Sequence, residues 1–241
     1  MSYLNQFFFG IYPYICLSVF LLGSLLRYDR DPYTWKSDSS QLLKAGQLRW
    51  GSNLFHIGIL FLFFGHAVGM LTPHFVYEPL MSAGAKQLLA MVSGGAFGLL
   101  GLIGLTLLLH RRLTEPRIRA TSKTSDIVLL LLLWLQFVLG LGTIALSAQH
   151  LDGSMMLVLA EWAQRIVTLR GGAADLVQEA GWVFKAHMVL GMTLFLIFPF
   201  TRLVHVWSGF ATLTYLARPY QIVRSRRLNL PAGHNQPQVR P

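Results

Sequence analysis

A chain of 241 residues with 54% hydrophobic and only 12% charged residues holds about half the charge of a soluble domain. Its net charge of +10 would suit a nucleic-acid binder, but the basic residues sit in the gaps between long apolar runs, which excludes that class. A single cysteine, Cys16, excludes an internal disulfide, an iron–sulfur cluster and a CxxCH haem attachment.

Five apolar segments approach the roughly 20 helical residues that cross a hydrocarbon core. They run from Leu4 to Leu26, Ser52 to Leu71, Leu88 to Leu109, Ile127 to Leu146 and Trp182 to Trp207. The first opens without a cationic stretch or a small-residue cleavage site and reads as a retained span, with Cys16 packed inside it. Between the fourth and fifth lies the longest connection on its side, with a helix-like stretch from Ser154 to Leu169, a Gly171-Gly172 break and the character of a cap. The expected fold is an all-α integral membrane bundle of five helices over residues 1–228, followed by a disordered cytoplasmic tail over residues 229–241.

Orientation follows from the loops. Of the 20 basic residues, all but Lys86, Arg165, Arg170 and Lys185 fall in the first connection, the third connection or the C-terminal segment. Cationic loops stay cytoplasmic, so the N-terminus is expected outside and the C-terminus in the cytoplasm.

Of eight histidines, four fall within spans: His56 and His66 in the second, His187 and His205 in the fifth. An ionisable side chain in a span is costly and by default marks a functional site. Two helices with two imidazoles each supply bis-His ligation for two non-covalent b-type haems, since neutral imidazole brings no charge into the membrane. The helices run in opposite senses, so depth pairs His66 with His187 and His56 with His205, one pair toward each face. Helical phase gives partial support. On one continuous helix, residues 187 and 205 are five turns apart, whereas residues 56 and 66 diverge by about 80°. The axial separations also differ, about 27 Å against about 15 Å, and helix tilt or distortion near Gly58 and Gly65 would have to absorb this; Thr201-Arg202 after Pro199 marks a kink that could aim His205. A zinc hydrolase does not fit, because no HExxH occurs and no carboxylate lies within the spans.

The blocks Asn53-Leu-Phe-His56-Ile-Gly-Ile, Gly69-Met-Leu-Thr-Pro-His74, Ser147-Ala-Gln-His150-Leu-Asp-Gly153 and His187 to His205 resemble the gamma, cytochrome b subunit of membrane-bound respiratory nitrate reductase, from near the start to about Tyr220. The resemblance implies a multi-pass subunit of the bacterial cytoplasmic (inner) membrane that oxidises quinol near an outer haem. Electrons would pass to an inner haem, then to an iron–sulfur beta subunit and a molybdenum-containing alpha subunit in the cytoplasm, where nitrate is reduced. It assigns His66 and His187 to the outer haem iron, and His56 and His205 to the inner one. Partners are then those two subunits, the quinol pool and lipid.

Further candidates follow. Lys86, at about the level of His66, is a candidate donor to a quinol oxygen, or else an interfacial snorkelling lysine. Gly65 and Gly69 flank His66 and would admit a flat ring, or else pack helices. Arg112 and Arg202 are candidate partners for haem propionates, or else positive-inside residues. Phe7 to Phe9 and Phe61 to Phe64 read as lipid-facing or packing surface. The competing readings are a cytochrome b anchor of another terminal reductase, and a haem-free five-span transporter or structural anchor.

Overall fold

The computed structural model describes residues 3–30, 45–149 and 151–208. It divides into two units after His205; of the second, residues 206–208 are described, as one helical turn. His150, His234, most of the C-terminal arginines and the tail over 229–241 lie outside the described residues.

All regular structure among the described residues is helical. In order the helices are α1 (Tyr3–Arg30, with a π turn at Phe7–Ile11), α2 (Ala45–Leu71), α3 (His74–Tyr77), α4 (Ala83–Thr114), α5 (Pro116–Thr121), α6 (Thr124–Ser147), α7 (Ser154–Val167), α8 (Ala173–Leu176) and α9 (Trp182–Ile197). Two 3-10 turns follow, Phe198–Phe200 and Arg202–Val204. Helices α1, α2, α4, α6 and α9 with its first 3-10 turn are long and apolar enough to cross a membrane. Helical backbone closes its own hydrogen bonds, which hydrocarbon demands. Leu21, Leu25, Leu60, Phe64, Leu99 and Ile103 project outward from the spans, as residues solvated by lipid do.

The first four spans extend beyond their apolar stretches, because Gln47, Arg49, Arg111 and Arg112 are good helix formers outside hydrocarbon. The fifth is shorter than expected. Pro199 cannot donate a backbone hydrogen bond, and Thr201 is extended (φ −116°, ψ 178°). The helix therefore ends at Ile197 and does not run through to Trp207.

Packing runs in the order α2, α4, α6, α9, α1. Helices α2 and α4 meet on glycine: a Cβ on Gly58 would lie 2.7 Å from the Gly101 backbone, so only glycine permits the approach. Gly98 takes Leu141 of α6, and Trp134 Nε1 donates to Thr106 Oγ1 at 3.0 Å. Against α9, α1 contributes Tyr12, whose hydroxyl is 2.9 Å from Thr193 Oγ1, and Phe20, edge-on to Phe195 and Phe198.

Helix α7 joins a cluster of Phe9, Trp162, Ile166, Ala174, Val177 and Phe184 that closes one end of the bundle. Trp162 Nε1 donates to the Phe9 carbonyl at 3.0 Å. Gln164 Nε2 donates to the Met70 and Thr72 carbonyls, which the end of α2 leaves unpaired. The expected cap is thus present, though its helix ends at Val167. The Ser147–Gly153 motif joins cap to spans: Gln87 Nε2 donates to the Ser147 carbonyl, and Gly153 turns with φ +84°. At the other, basic end lies a second cluster of Leu105, Leu129, Leu133 and Phe137.

Candidate functional site: two opposed imidazole pairs

The structure brings the four span histidines together as two pairs across the gap between α2 and the α9 segment. The ring centres of His66 and His187 are 6.3 Å apart, toward the capped end. Those of His56 and His205 are 6.1 Å apart, toward the basic end. A first-row metal–imidazole bond is about 2 Å, and a ring centre lies about 1 Å behind its nitrogen. Two imidazoles on opposite sides of one metal therefore have centres about 6 Å apart.

Hydrogen bonding sets the tautomers. His56 Nδ1 donates to the Ser52 carbonyl at 2.7 Å, with Ser52 Oγ at 3.2 Å. His66 Nδ1 donates to the Leu62 carbonyl at 2.7 Å, and His205 Nδ1 to the Arg202 carbonyl at 2.6 Å. A carbonyl can only accept, so the proton is on Nδ1 and the Nε2 lone pair is left for a ligand bond. His187 is positioned by packing. A Cβ on Gly140 would lie 3.0 Å from its Cε1, and Gln136 Nε2 donates to its backbone carbonyl at 3.1 Å. Among the described residues its Nδ1 has no hydrogen-bond partner.

The break in α9 accounts for the unequal spacing along the two segments. Helix α2 is continuous, so His56 and His66 diverge around it. No helix connects His187 to His205, so neither the five-turn phase nor a straight rise of about 27 Å applies. Arg27 holds the broken segment: its Nη1 donates to the Pro199 carbonyl at 2.7 Å and to the Thr201 carbonyl at 3.0 Å.

Arg112 and Arg202 meet beside the basic-end pair. Their Nη1 atoms lie 3.2 Å and 3.6 Å from Asp126 Oδ2, so one carboxylate holds two guanidiniums and the cluster keeps net positive charge. Asp126 sits in the first turn of α6, where the helix dipole favours it. It is not singled out by the sequence; the signal available there is an acid within the basic connection.

Toward the capped end, Lys86 Nζ stands 3.6 Å above the centre of the Tyr77 ring. Burial, with the Glu78 carboxylate adding, pushes the Tyr77 phenol above its usual range, so it is neutral at physiological pH. Extending the Gly58–Gly101 register along the antiparallel α2–α4 pair sets Lys86 opposite residue 73. That is roughly 10 Å nearer the capped end than His66. A Cβ on Gly65 or Gly69 would meet nothing within 4 Å. Neither glycine packs helices within the described chain, and the face of α2 beside His66 is open. Phe61, Phe63 and Phe64 are exposed on the outside of the bundle, whereas Phe9 is buried under the cap. No three histidine, cysteine or acidic side chains among the described residues gather as a metal cage; the imidazoles face one another in twos.

Fold and site together define a multi-pass helix bundle with an imidazole pair toward each end. The chain belongs to the nitrate reductase gamma subunit family, which matches residues 5–226. It is 59% identical over 228 residues to the respiratory nitrate reductase 2 gamma chain of Escherichia coli (strain K12), covering 94% of this chain and all of that one. Against the respiratory nitrate reductase 1 gamma chain of that strain it is 55% identical, again over 94% of this chain and all of the other. It is 38% identical to the nitrate reductase gamma chain of Bacillus subtilis (strain 168), over 92% of this chain and 99% of that one. It is accordingly the membrane-associated electron-transfer subunit of a nitrate reductase, an oxidoreductase of several subunits.

Proposed function

We propose that this subunit oxidises quinol near the capped end of the bundle and delivers the electrons toward the basic end through two b haems, each held by one imidazole pair. The observation that carries the reading is the pair of ring separations, 6.3 Å and 6.1 Å, which match two imidazoles on one metal. The Nδ1-protonated tautomers of His56, His66 and His205 support it, because they leave the Nε2 lone pair available to a metal. When bound, each haem supplies a reversible one-electron couple, so that a two-electron donor can be emptied in single steps.

The chain's own residues do the rest. His66 and His187 would hold the haem at the capped end, and His56 and His205 the one at the basic end. Arg112 and Arg202, joined on Asp126, would keep positive charge near the propionates of the second. Lys86 would donate a hydrogen bond to a quinol oxygen, and Gly69 would leave the face of α2 open for a ring to bridge the distance to His66. Oxidation of quinol releases two electrons and two protons. With the basic end in the cytoplasm, as positive-inside charge supports, the protons leave on the other side of the bacterial cytoplasmic membrane. Electrons would continue to an iron–sulfur beta subunit and a molybdenum-containing alpha subunit. Family membership favours this reading over an anchor for another reductase and over a transporter.

The test is visible spectroscopy on membranes containing the whole complex, with quinol as donor and nitrate as oxidant. Expected are b-type bands for two haems per chain, reduced by quinol and reoxidised by nitrate, with one haem lost in His66→Ala. A spectrum without haem bands would overturn the reading.

A further inference from the structure

We propose that Tyr77 is the positioning residue for Lys86, its ring face carrying the ammonium so that the N–H donors are left for a quinol oxygen. The inference rests on the quinol reading of Lys86 given above.

Lys86 is poorly placed for an ordinary surface cation. It sits in the first turns of α4, whose backbone begins at Ala83 under a Ser82 cap (Ser82 Oγ accepts from Ala85 N at 3.2 Å). The positive end of a helix dipole repels an ammonium there. Its Nζ is buried, and among the described residues it has no hydrogen-bond partner. A desolvated cation needs compensation, and the contact the structure supplies is the Tyr77 ring at 3.6 Å.

Tyr77 is built for that contact. In the connection between α2 and α4, Phe75, Val76 and Leu80 face outward, whereas Tyr77 is turned in and 7% exposed. Its backbone is pinned, since its carbonyl accepts from Leu80 N and Met81 N at 2.9 Å each. The His74 ring stands edge-on to it at 5.1 Å. Its hydroxyl, also buried, has no hydrogen-bond partner among the described residues, so the ring is not oriented through its oxygen.

An aromatic face differs from a carboxylate in what it leaves available. A carboxylate would bind the N–H groups and neutralise the charge. The ring attracts the cation through its quadrupole and binds none of its N–H donors, so once a quinol displaces the atoms that cover the nitrogen they can make a charge-assisted bond to its oxygen.

The experiment uses the complete membrane-bound complex, with steady-state kinetics on a soluble quinol as donor and haem content measured alongside. Tyr77→Leu is expected to raise the quinol KM about tenfold with both haems retained. Tyr77→Phe, which keeps the face and lacks the hydroxyl, is expected to stay within about twofold. Phenylalanines carrying increasing numbers of fluorines at position 77 preserve shape while weakening the face. A KM that climbs with fluorination supports the proposal even if Tyr77→Leu fails to assemble. A KM flat across the fluorinated series, in a protein where Lys86→Ala does raise it, overturns the role of Tyr77. A KM unchanged in Lys86→Ala overturns the quinol reading of Lys86 itself.

Discussion

Arg27 reaches from α1 to the Pro199 carbonyl, 172 positions away, with a hydrogen bond of 2.7 Å. The same nitrogen bonds the Thr201 carbonyl, so one guanidinium satisfies two acceptors released where α9 breaks. A charged donor on a carbonyl is worth roughly 1.5–3 kcal/mol. Arg27→Gln should therefore loosen the segment that presents His205 while leaving His187 in place. Under the two-haem reading, the expected outcome is a weakened or spectrally altered haem at the basic end beside an unaltered one at the capped end, read by low-temperature difference spectra. Equal loss of both signals would show that Arg27 supports the whole bundle.

Gly140 makes room for the His187 ring, as the 3.0 Å between a hypothetical Cβ and His187 Cε1 requires. Gly140→Ala forces the ring to shift by a few tenths of an ångström, and Gly140→Leu leaves it no room. Under the two-haem reading, haem content should fall from two to about one per chain in the leucine variant, the capped-end signal being the one lost. The alanine variant should keep both, with a shifted midpoint for the capped-end haem in a redox titration. Gly46→Ala, where a Cβ would meet nothing within 4 Å, is the control.

The spans and their histidines were legible because both signals are local and large. Twenty apolar residues need hydrocarbon, and an imidazole among them is expensive enough to stand out. Pairing by depth was legible because it needs only chain direction. The break at Pro199 was half legible: proline predicted a kink, yet extrapolating one straight helix to His205 imposed a phase that the segment does not have. The contacts of Tyr77, Gly140, Asp126 and Arg27 were not legible. Each acts on a group brought near by folding, and nothing in the spacing around Asp126, for example, says that two guanidiniums will share it.

Two glycines of α2 should respond in opposite ways. Gly58 lies against the Gly101 backbone, where nothing flexible can yield. Gly58→Val should separate α2 from α4 and cost at least about 1–3 kcal/mol, seen as a lower temperature of thermal aggregation. Gly69 has open space beside it, so Gly69→Leu should leave that temperature unchanged. Under the quinol reading it should instead raise the KM for quinol, because a side chain then occupies the face where the ring approaches. A Gly69→Leu protein with normal quinol kinetics would remove Gly69 from the site.

Asp126 tests the charge around the basic-end pair. Its carboxylate lies between Arg112 and Arg202 at 3.2 Å and 3.6 Å, with all three side chains largely buried. Asp126→Asn removes one negative charge while keeping the size and a weaker acceptor for both guanidiniums. Uncompensated positive charge favours the reduced form of a nearby redox centre, so under the two-haem reading the midpoint of the basic-end haem should rise. A charge about 10 Å from a redox centre is, at an effective dielectric near 20, worth about 1.7 kcal/mol, which for a one-electron couple is on the order of 70 mV, and this sets the scale of the expected shift. Midpoints from a potentiometric titration of both haems decide it. The capped-end value should move much less, since screening grows with distance. A fall in the basic-end midpoint would mean that the arginines turn away once Asp126 is neutral, and that the carboxylate holds them in place more than it offsets their charge.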